Sequence, residues 1–443
     1  MLLKTFRGGV HPPEEKTLTD ELGFEMMPPP KQVIIPLSQH LGKQAKPIVK
    51  KGSPVSAGTL IAEADGFISA PVYSSVTGIV ASLGRESNAG GFPKDAIVIN
   101  TNEHQDKITF EPLNPDTVSP EEIRDRVKLA GIVGQGGAAF PTYVKLTPPK
   151  DQKIELIILN GCECEPYLTR DYRFMLERPE ALLGGLKLIM KSLGVEKGWI
   201  GIEDNKPEAV KILKKLVENE TGISIVTLKT KYPQGAEKML IKAVTKKEVP
   251  PGKLPLDVGI VIQNIGTAVA VYDAVVKGEP LLTAAVTVSG RGIKNPKNLI
   301  VPVGTTIKDI LDYCGGVTED AVKIIVGGPM MGVAQYDLSA PVMKATSGII
   351  VLTKEDVEEQ EETACLKCGK CIGACPINLM PTKLVRYIQI GNYEAAENLG
   401  VTVCMECGTC AFTCPANIPL VQWLRFGKQK AFQIQKERSL QKV

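Results

Sequence analysis

The stretch that decides the architecture of this chain reads Cys365-Leu-Lys-Cys368-Gly-Lys-Cys371-Ile-Gly-Ala-Cys375-Pro376. A second copy with the same spacing runs from Cys404 to Pro415. Two runs of Cys-x2-Cys-x2-Cys-x3-Cys-Pro are typical of proteins that hold two [4Fe–4S] clusters. Because such clusters accept and pass single electrons, the pattern predicts an electron carrier.

In this motif the fourth cysteine of each run ligates the other cluster. We therefore expect one cluster on Cys365, Cys368, Cys371 and Cys414, and the other on Cys404, Cys407, Cys410 and Cys375. Structural zinc and disulfides are the alternatives. Zinc sites usually show two Cys-x2-Cys pairs rather than a triple run that ends in Cys-Pro. So many thiols outside a secretory context indicate a reducing compartment and metal use.

Length and charge narrow the class of protein further. A chain of 443 residues is long enough for about three domains. The 52 Lys and Arg residues nearly balance the 49 Asp and Glu residues, which gives no electrostatic footprint for nucleic acid. The longest apolar stretch, 258–276, is interrupted by Gln263, Asn264 and Asp273, so no membrane span of its own is expected. No N-terminal signal is visible, and we expect a cytoplasmic chain that docks on a membrane partner.

The chain is predicted to be a multidomain protein of α/β and β class with four domains. They are a β-rich barrel-sandwich hybrid (1–115), an α/β flavin-binding domain (116–280), a β-grasp module (281–353) and an α-helical dicluster domain (354–443). In the second domain, apolar strands at 156–159, 199–202, Ile223–Leu228 and 258–262 alternate with helices at Pro179–Leu193, 207–217 and 236–244. That alternation favours a largely parallel sheet. In the last domain, residues 381–399 between the two cysteine runs are predicted to be helical.

The first domain resembles a lipoyl or biotinyl domain, which carries its cofactor on a hairpin lysine after an acidic pair. The matching stretch here is Glu63-Ala64-Asp65-Gly66, with glycine where the lysine would stand. We therefore expect the fold without the attached group.

A glycine-rich stretch, Gly134-Gln-Gly-Gly-Ala-Ala-Phe-Pro-Thr142, is the second informative feature. It matches neither G-x-G-x-x-G nor a Walker A loop, and alone it is explained as well by a turn. Polar clusters follow three of the predicted strands, at 160–166, 232–238 and 263–267. Because ligands of open α/β sheets bind at the carboxyl ends of strands, these clusters indicate a single crevice.

Together these four segments resemble the flavin subunit of respiratory complex I, which binds FMN and takes hydride from NADH. With the N-terminal domain, the dicluster tail and the stretch Phe6-Arg-Gly-Gly-Val-His-Pro-Pro-Glu-Glu-Lys16, nearly the whole chain resembles the C subunits of the Rnf complex, a membrane-bound NADH:ferredoxin oxidoreductase. The resemblance implies FMN, two [4Fe–4S] clusters and NAD(H) as substrate. It also implies other members of the complex as partners, including a ferredoxin-like one, at the cytoplasmic face of the membrane.

The resemblance further implies roles for individual residues. The isoalloxazine ring would lie against the loop of Gly134, Gln135, Gly136 and Gly137. The flavin and its phosphate would be surrounded by Lys145, Asn160, Glu163, Gln263, Asn264 and Thr267. The dinucleotide would stack on Phe140, in a pocket shaped by Glu165 and Glu237. Two residues depart from the complex I pattern: Gln135 replaces an arginine and Cys162 an acidic residue. Phe140 as ordinary core, and Glu163 and Glu165 as ordinary surface, remain alternatives.

Two other functions compete with this interpretation. One is a soluble flavin and iron–sulfur reductase, such as a cobalamin reductase of propanediol-using microcompartments, and the stretch at 6–16 argues against it. The other is a relay protein without flavin, which the intact glycine loop disfavours. Cys162, Cys164 and Cys314 belong to neither cysteine run. Metal ligation and redox chemistry are alternatives for Cys162 and Cys164, and we interpret all three as small buried residues.

Overall fold

The computed structural model describes residues 3–357 and 361–440. Its strands are β1 (Phe24–Met26), β2 (Gln32–Pro36), β3 (Lys46–Pro47), β4 (Pro54–Val55), β5 (Leu60–Glu63), β6 (Val72–Tyr73), β7 (Gly78–Glu86), β8 (Lys94–Thr101), β9 (Leu156–Gly161), β10 (Gly198–Glu203), β11 (Ile223–Leu228), β12 (Ile260–Asn264), β13 (Thr283–Ser289), β14 (Lys297–Pro302), β15 (Ala321–Val326), β16 (Val333–Gln335) and β17 (Gly348–Thr353). Its α-helices are α1 (Pro120–Leu129), α2 (Thr142–Lys145), α3 (Arg170–Glu177), α4 (Pro179–Leu193), α5 (Pro207–Leu216), α6 (Glu237–Thr245), α7 (Ile265–Val276), α8 (Ile307–Tyr313), α9 (Lys370–Ala374), α10 (Pro381–Gln389), α11 (Tyr393–Asn398), α12 (Thr409–Phe412) and α13 (Leu420–Leu440). Short 3-10 helices span Pro255–Val258 and Val401–Val403.

The N-terminal β-rich part is a sandwich of two small sheets. One sheet has the order β2-β8-β7-β4 and the other the order β3-β5-β6. Alternate residues of these strands, among them Val33, Ile35, Ile61 and Ile97, meet in one apolar core. Gly66 lies at the exposed tip between β5 and β6, with φ +102°, and a Cβ placed on it would meet no atom within 4 Å. The neighbouring Phe67 packs edge-on against Tyr143, with ring centroids 5.9 Å apart.

The central part is a parallel four-stranded sheet in the order β11-β10-β9-β12. Both faces of β9 are apolar, as a strand buried on both sides requires. One face packs against α4 and α7, and the other packs against α6. The chain moves from β9 outward through β10 to β11 and then returns to the opposite side of β9. The carboxyl ends of β9 and β12 therefore form a topological switch point.

The third sheet has six strands in the order β1-β14-β13-β17-β15-β16, and α8 packs against it. The parallel pair β13 and β17 at its centre, flanked by antiparallel neighbours, is the β-grasp arrangement. Its edge strand β1 comes from residues 24–26, more than 250 positions away along the chain from β14, with which it pairs in parallel. The domain boundaries 1–115, 116–280, 281–353 and 354–443 stay predictions.

Helices α9 to α13 form the C-terminal part around the two cysteine runs. The range 381–399, predicted to be helical, is occupied by two helices, α10 and α11. Gly391 separates them with φ +74°, a conformation that ends a helix readily in glycine. In residues 3–357 and 361–440, no helix is both long enough and apolar enough to cross a bilayer.

Candidate flavin and iron–sulfur sites

The switch point of the parallel sheet collects most of the residues predicted around the flavin. Asn160 at the end of β9 stands opposite Asn264 at the end of β12. The glycine loop lies over this pair, because a Cβ placed on Gly136 would come within 2.7 Å of the Asn264 side-chain nitrogen. The glycine loop and the ends of β9 and β12 therefore meet at the position that open α/β sheets use for ligands.

The glycine loop is held at both ends. The amide of Gln135 donates to the hydroxyl of Thr267, 3.0 Å away, and the amide of Gly134 donates to the carbonyl of Phe140, 2.9 Å away. Between these anchors the backbone of Gly136 and Gly137 is exposed. A closed loop with an exposed glycine backbone suits close approach by a flat ligand, because no side chain stands in the way.

The two exposed glycines differ in what surrounds them. The space beside Gly136 is occupied by Asn264, whereas a Cβ on Gly137 would meet no atom within 4 Å. Open space for a ring therefore lies at Gly137 rather than at Gly136. Phe140 is half-buried at the end of the same loop, which leaves part of its ring free for stacking.

Two further pairs of predicted residues are in contact. The Lys145 ammonium lies 3.1 Å from the Glu237 carboxylate and also donates to the carbonyl of Ile262. The Asn160 side chain donates to the carbonyl of Gly235, 2.7 Å away, and accepts from the amide of Cys162. The Lys145 ammonium lies near the strand ends, so it is suited to bind a phosphate.

Unpartnered buried polar atoms supply a test of whether this crevice fits FMN. Among the described residues, the side-chain nitrogen of Gln263 is buried without a hydrogen-bond partner. One carboxylate oxygen of Asp171 also accepts no hydrogen bond, but it lies 3.5 Å from the Arg170 guanidinium. Thr142 and Gln234 each leave one buried side-chain atom without a hydrogen-bond partner. Buried polar groups are nearly always paired, so the unpaired nitrogen of Gln263, one residue before Asn264 at the end of β12, is available to a polar ligand. The residues present therefore fit a flavin nucleotide.

Glu163 has a different local role from the one the resemblance implies. Its carboxylate accepts from the amides of Asp171 and Tyr172, at 2.7 Å and 3.2 Å. These amides belong to the first turn of α3, which has no side-chain cap from its own Thr169. A carboxylate there satisfies free amides and suits the positive end of the helix dipole. Glu163 thus orients α3 beside the crevice.

Glu165 contacts the β-grasp part and Tyr232. Its carboxylate accepts from the amide of Met330 in the β-grasp part, 3.0 Å away, and lies 3.4 Å from the Tyr232 hydroxyl. Burial raises the pKa of Glu165 to about 7, so the carboxyl holds a proton more readily than an exposed glutamate does. This position lies between the flavin crevice and the cluster domain.

Sequence reasoning did not single out Arg170, Tyr232 or Lys16. Arg170 is 1% exposed and donates to the carbonyl of Gln135 in the glycine loop and to the carbonyls of Ala285 and Thr346. A charged residue directly after a predicted strand-end cluster was the available signal. Its burial and partners depend on long-range packing, which local spacing does not encode.

Cysteines of one run lie near cysteines of the other run. Cys414 and Cys368 both lie close enough to Cys371 to raise the pKa of its thiol further, after the larger effect of burial. Cys375 acts in the same way on Cys404 and on Cys410. Cys375 therefore lies near Cys404, Cys407 and Cys410 of the other run, and Cys414 lies near Cys371.

The surroundings of these thiols fit cluster ligands. The amide of Leu379 donates to the sulfur of Cys375 at 3.2 Å, and the amide of Glu406 donates to the sulfur of Cys404 at 3.4 Å. Such hydrogen bonds stabilise thiolates and tune cluster potentials. Burial raises the pKa of Cys404 to about 11, so iron must supply the positive charge that keeps it a thiolate.

Family profiles match the chain in four consecutive pieces. They are described as the RnfC barrel sandwich hybrid domain (residues 4–104), the Nuo51 FMN-binding domain (127–273), the SLBB domain (285–334) and a 4Fe-4S dicluster domain (358–415). The fold class predicted from the sequence is therefore confirmed. So are the cofactor types, FMN and two [4Fe–4S] clusters.

Curated proteins extend the match over nearly the full length. The C subunit of the proton-translocating ferredoxin:NAD(+) oxidoreductase complex of Clostridium ljungdahlii is 49% identical over 96% of this chain and 94% of its own. The chain belongs to the RnfC family. The Na(+)-translocating counterpart of Acetobacterium woodii is 44% identical over 89% of both chains, and the C subunit of the ion-translocating oxidoreductase complex of Rhodobacter capsulatus is 43% identical over 96% of this chain and 83% of its own.

A solved structure supports the fold of this RnfC family member. A chain of an NAD+-reducing [NiFe]-hydrogenase in the H2-reduced state aligns with a TM-score of 0.50 and 19% identity. The alignment covers 71% of this chain and 63% of that one. At this identity the likeness concerns the fold alone.

Of the three cysteines outside the runs, two are fully buried and Cys164 is partly buried. Cys162 and Cys314 are both 0% exposed and pack in separate apolar clusters. The sulfur of Cys164 accepts from the amide of Gly235, 3.3 Å away. Burial raises the pKa of all three thiols, that of Cys314 to about 12. These thiols therefore stay protonated at neutral pH, as small buried residues do.

Proposed function

We propose that this chain exchanges electrons between NAD(H) and two [4Fe–4S] clusters as the NADH-oxidising or NAD-reducing member of a membrane-bound, ion-translocating ferredoxin:NAD oxidoreductase. Its relatives are named as C subunits of such complexes. The partners are the other subunits of the complex, including one that resembles a ferredoxin. The chain docks peripherally at the cytoplasmic face of the membrane.

One observation carries this proposal. The short segment 232–235 contacts both redox sites: the Gly235 carbonyl accepts from Asn160 at the flavin crevice, and the Tyr232 hydroxyl donates to the Cys407 carbonyl in the cluster domain. A flavin site and a cluster cage joined by four residues are suited to pass electrons between them. A relay protein without flavin has no need of the crevice.

Bound FMN supplies the conversion between the two-electron chemistry of NADH and the one-electron chemistry of iron–sulfur clusters. One NADH becomes NAD+ and releases one proton and two electrons, and two one-electron clusters match that number. The chain's own residues position the reactants and perform no covalent step. Lys145, Asn160, Gln263, Asn264 and Thr267, with the backbone of residues 134–137, hold the nucleotide. Phe140, Glu165 and Glu237 complete the pocket on the NAD(H) side.

The contacts also order the two clusters. Cys375 and Cys407, both buried, belong to the cluster whose cage is in contact with the flavin side. Cys368 of the other cluster is exposed. We therefore assign electron entry from the flavin to the cluster on Cys404, Cys407, Cys410 and Cys375. The cluster with the exposed ligand faces the next carrier.

The test uses the purified chain with its flavin and iron under anaerobic conditions. Added NADH should bleach the flavin and then the clusters. Gly137→Phe should abolish FMN binding and NADH-dependent dye reduction while iron content stays at the native level, because its side chain fills the open space beside the loop. Gly84→Phe, at another exposed position with no atom within 4 Å of a Cβ, is the matched control. If Gly137→Phe keeps FMN and turnover, the flavin site is elsewhere.

A further inference from the structure

The N-terminal segment, residues 4–16, has no role in the function proposed above. It lies outside the two sheets of the barrel-sandwich part and runs along the flavin-binding part instead. Lys4 pairs with Leu228 at the end of β11. Further on, the amides of Val10 and Tyr232 donate to each other's carbonyls at 2.8 Å and 2.9 Å. The segment therefore adds an extended stretch beside residues 228–232.

The middle of this segment contacts the cluster domain. The amide of Gly9 donates to the carbonyl of Ala374, 2.8 Å away. A Cβ on Gly8 would lie 2.9 Å from the carbonyl oxygen of Cys375 and 3.2 Å from Cα of Pro376. Both glycines have positive φ, +83° and +79°. Only glycine combines this backbone conformation with so close an approach to another backbone.

Gly9 contacts the flavin-binding part as well. A Cβ on Gly9 would lie 2.5 Å from the carbonyl oxygen of Tyr232. The Lys231 ammonium donates to the carbonyl of Phe6 at 3.0 Å and lies 4.7 Å from the centroid of its ring. The segment is thus clamped between the cysteine ligand Cys375 and the residues that reach Cys407.

The end of the segment is anchored next to the flavin crevice. The Lys16 ammonium, 9% exposed as a residue, donates to the carbonyls of Glu163, Glu165 and Leu168 at 3.0, 2.9 and 2.5 Å. A buried ammonium is tolerated only when several acceptors replace its water. These three bonds tie the segment to the loop that leads into α3.

We propose that the N-terminal segment is a positioning element that sets the gap between the flavin site and the cluster on Cys404, Cys407, Cys410 and Cys375. Gly8 and Gly9 are its positioning residues, because they let one stretch of backbone contact the Cys375 side and the Tyr232 side at once. The inference rests on the proposed function. It adds that this segment governs transfer from flavin to cluster and leaves the reaction with NADH unaffected.

The test is Gly8→Ala in the purified chain with FMN and both clusters. Stopped-flow absorbance after NADH addition should show flavin reduction at the native rate and cluster reduction slowed by about tenfold to a hundredfold, since small displacements of reacting groups cost rate steeply. In steady-state assays, kcat for dye reduction at the clusters should fall while kcat/KM for NADH keeps its native value. Hydrogen exchange should be faster at the amides of residues 8–10 and 374–379, a readout that is independent of turnover.

Gly52→Ala is the matched control. Gly52 also has a positive φ, +86°, but no atom lies within 4 Å of a Cβ there. It reproduces the backbone strain without the contact, and its cluster reduction should match the native rate. Native cluster reduction in Gly8→Ala, with faster exchange at residues 374–379, would overturn the inference.

A second variant tests the proposal if Gly8→Ala loses its iron. Lys231→Met removes the bond and ring contact to Phe6 without a clash, and it should slow cluster reduction with both cofactors retained. An unchanged rate in Lys231→Met would also overturn the inference. Failure of the proposed function looks different, because then NADH would not reduce the flavin even in the native chain.

Discussion

The hydroxyl of Tyr232 donates a hydrogen bond of 2.8 Å to the carbonyl of Cys407. Tyr232 is 2% exposed, and burial raises the pKa of its phenol, so the donor proton is retained at every physiological pH. The bond therefore forms a permanent link between the flavin-binding part and one cluster cage. Tyr232 also stands next to Glu165, whose carboxyl is the group of this junction that titrates near neutrality.

The crossed ligation predicts which cluster each cysteine supports. Cys414→Ala should destroy the cluster held by Cys365, Cys368 and Cys371 and preserve the other, so iron should fall from about eight to about four per chain. Electron paramagnetic resonance of the reduced chain resolves which signal is lost. Loss of the signal that Cys404→Ala abolishes would contradict the assignment. Cys314→Ala, at a buried thiol outside both runs, should leave both signals.

The barrel-sandwich part is predicted to carry no lipoyl or biotinyl group. Gly66 occupies the exposed tip where such domains have their lysine. Intact-mass spectrometry of the chain, after acid removes the clusters, should give the mass of the unmodified sequence. An additional mass equal to either group would disprove this.

Glu165 should make stability fall as pH rises. Its pKa is raised from 4.5 to about 7, so between those values the folded chain holds a proton that the unfolded chain has released. Unfolding free energy therefore decreases with rising pH across this window. Glu165→Gln keeps the acceptor for Met330 and removes the charge. It should be more stable than the native chain by about 2 kcal/mol at pH 8 and close to native at pH 5.

Thermal unfolding followed by circular dichroism at several pH values measures this difference. The control is Glu122→Gln at the start of α1, where hydrogen bonding from the Ser119 amide lowers the carboxyl pKa. The ionised Glu122 carboxylate stabilises the fold at neutral pH, and this stabilisation is lost in acid. Glu122→Gln should therefore lower the unfolding free energy at pH 8, whereas Glu165→Gln should raise it. A flat difference between Glu165→Gln and native across pH 5 to 8 would refute the prediction.

Arg170 should be needed for the glycine loop. Arg170→Met leaves three buried carbonyls without their donor, which should cost about 3 kcal/mol in stability. Because one of these carbonyls belongs to Gln135, FMN affinity should fall as well, as measured by fluorescence titration of the flavin-free chain. Arg173→Met on the same helix removes an outward ion pair with Glu177 and serves as the control. Equal FMN affinity in the two variants would exclude a role for Arg170 in the loop.

Local sequence determined the elements and pointed to the cluster ligands. The helix Pro179–Leu193 and the strand Ile223–Leu228 were predicted with the bounds that the structure has, because apolar periodicity and flanking prolines and glycines act within a few residues. The spacing of the cysteines was enough to predict two [4Fe–4S] clusters. The crossed assignment of their fourth ligands stays a prediction. The glycine loop and the strand-end clusters likewise indicated one crevice.

Only the tertiary structure decided which groups meet across the chain. The direction of Glu165 toward Met330, the burial of Arg170 and the pairing of β1 with β14 each depend on partners more than 100 residues away. The same holds for Gly9, whose bond to Ala374 joins the N-terminal segment to the cluster domain. Such contacts arise from the way whole sheets and helices pack, and short-range spacing carries no information about that packing. The cofactor chemistry was therefore readable from motifs, whereas the junction between flavin and cluster was not.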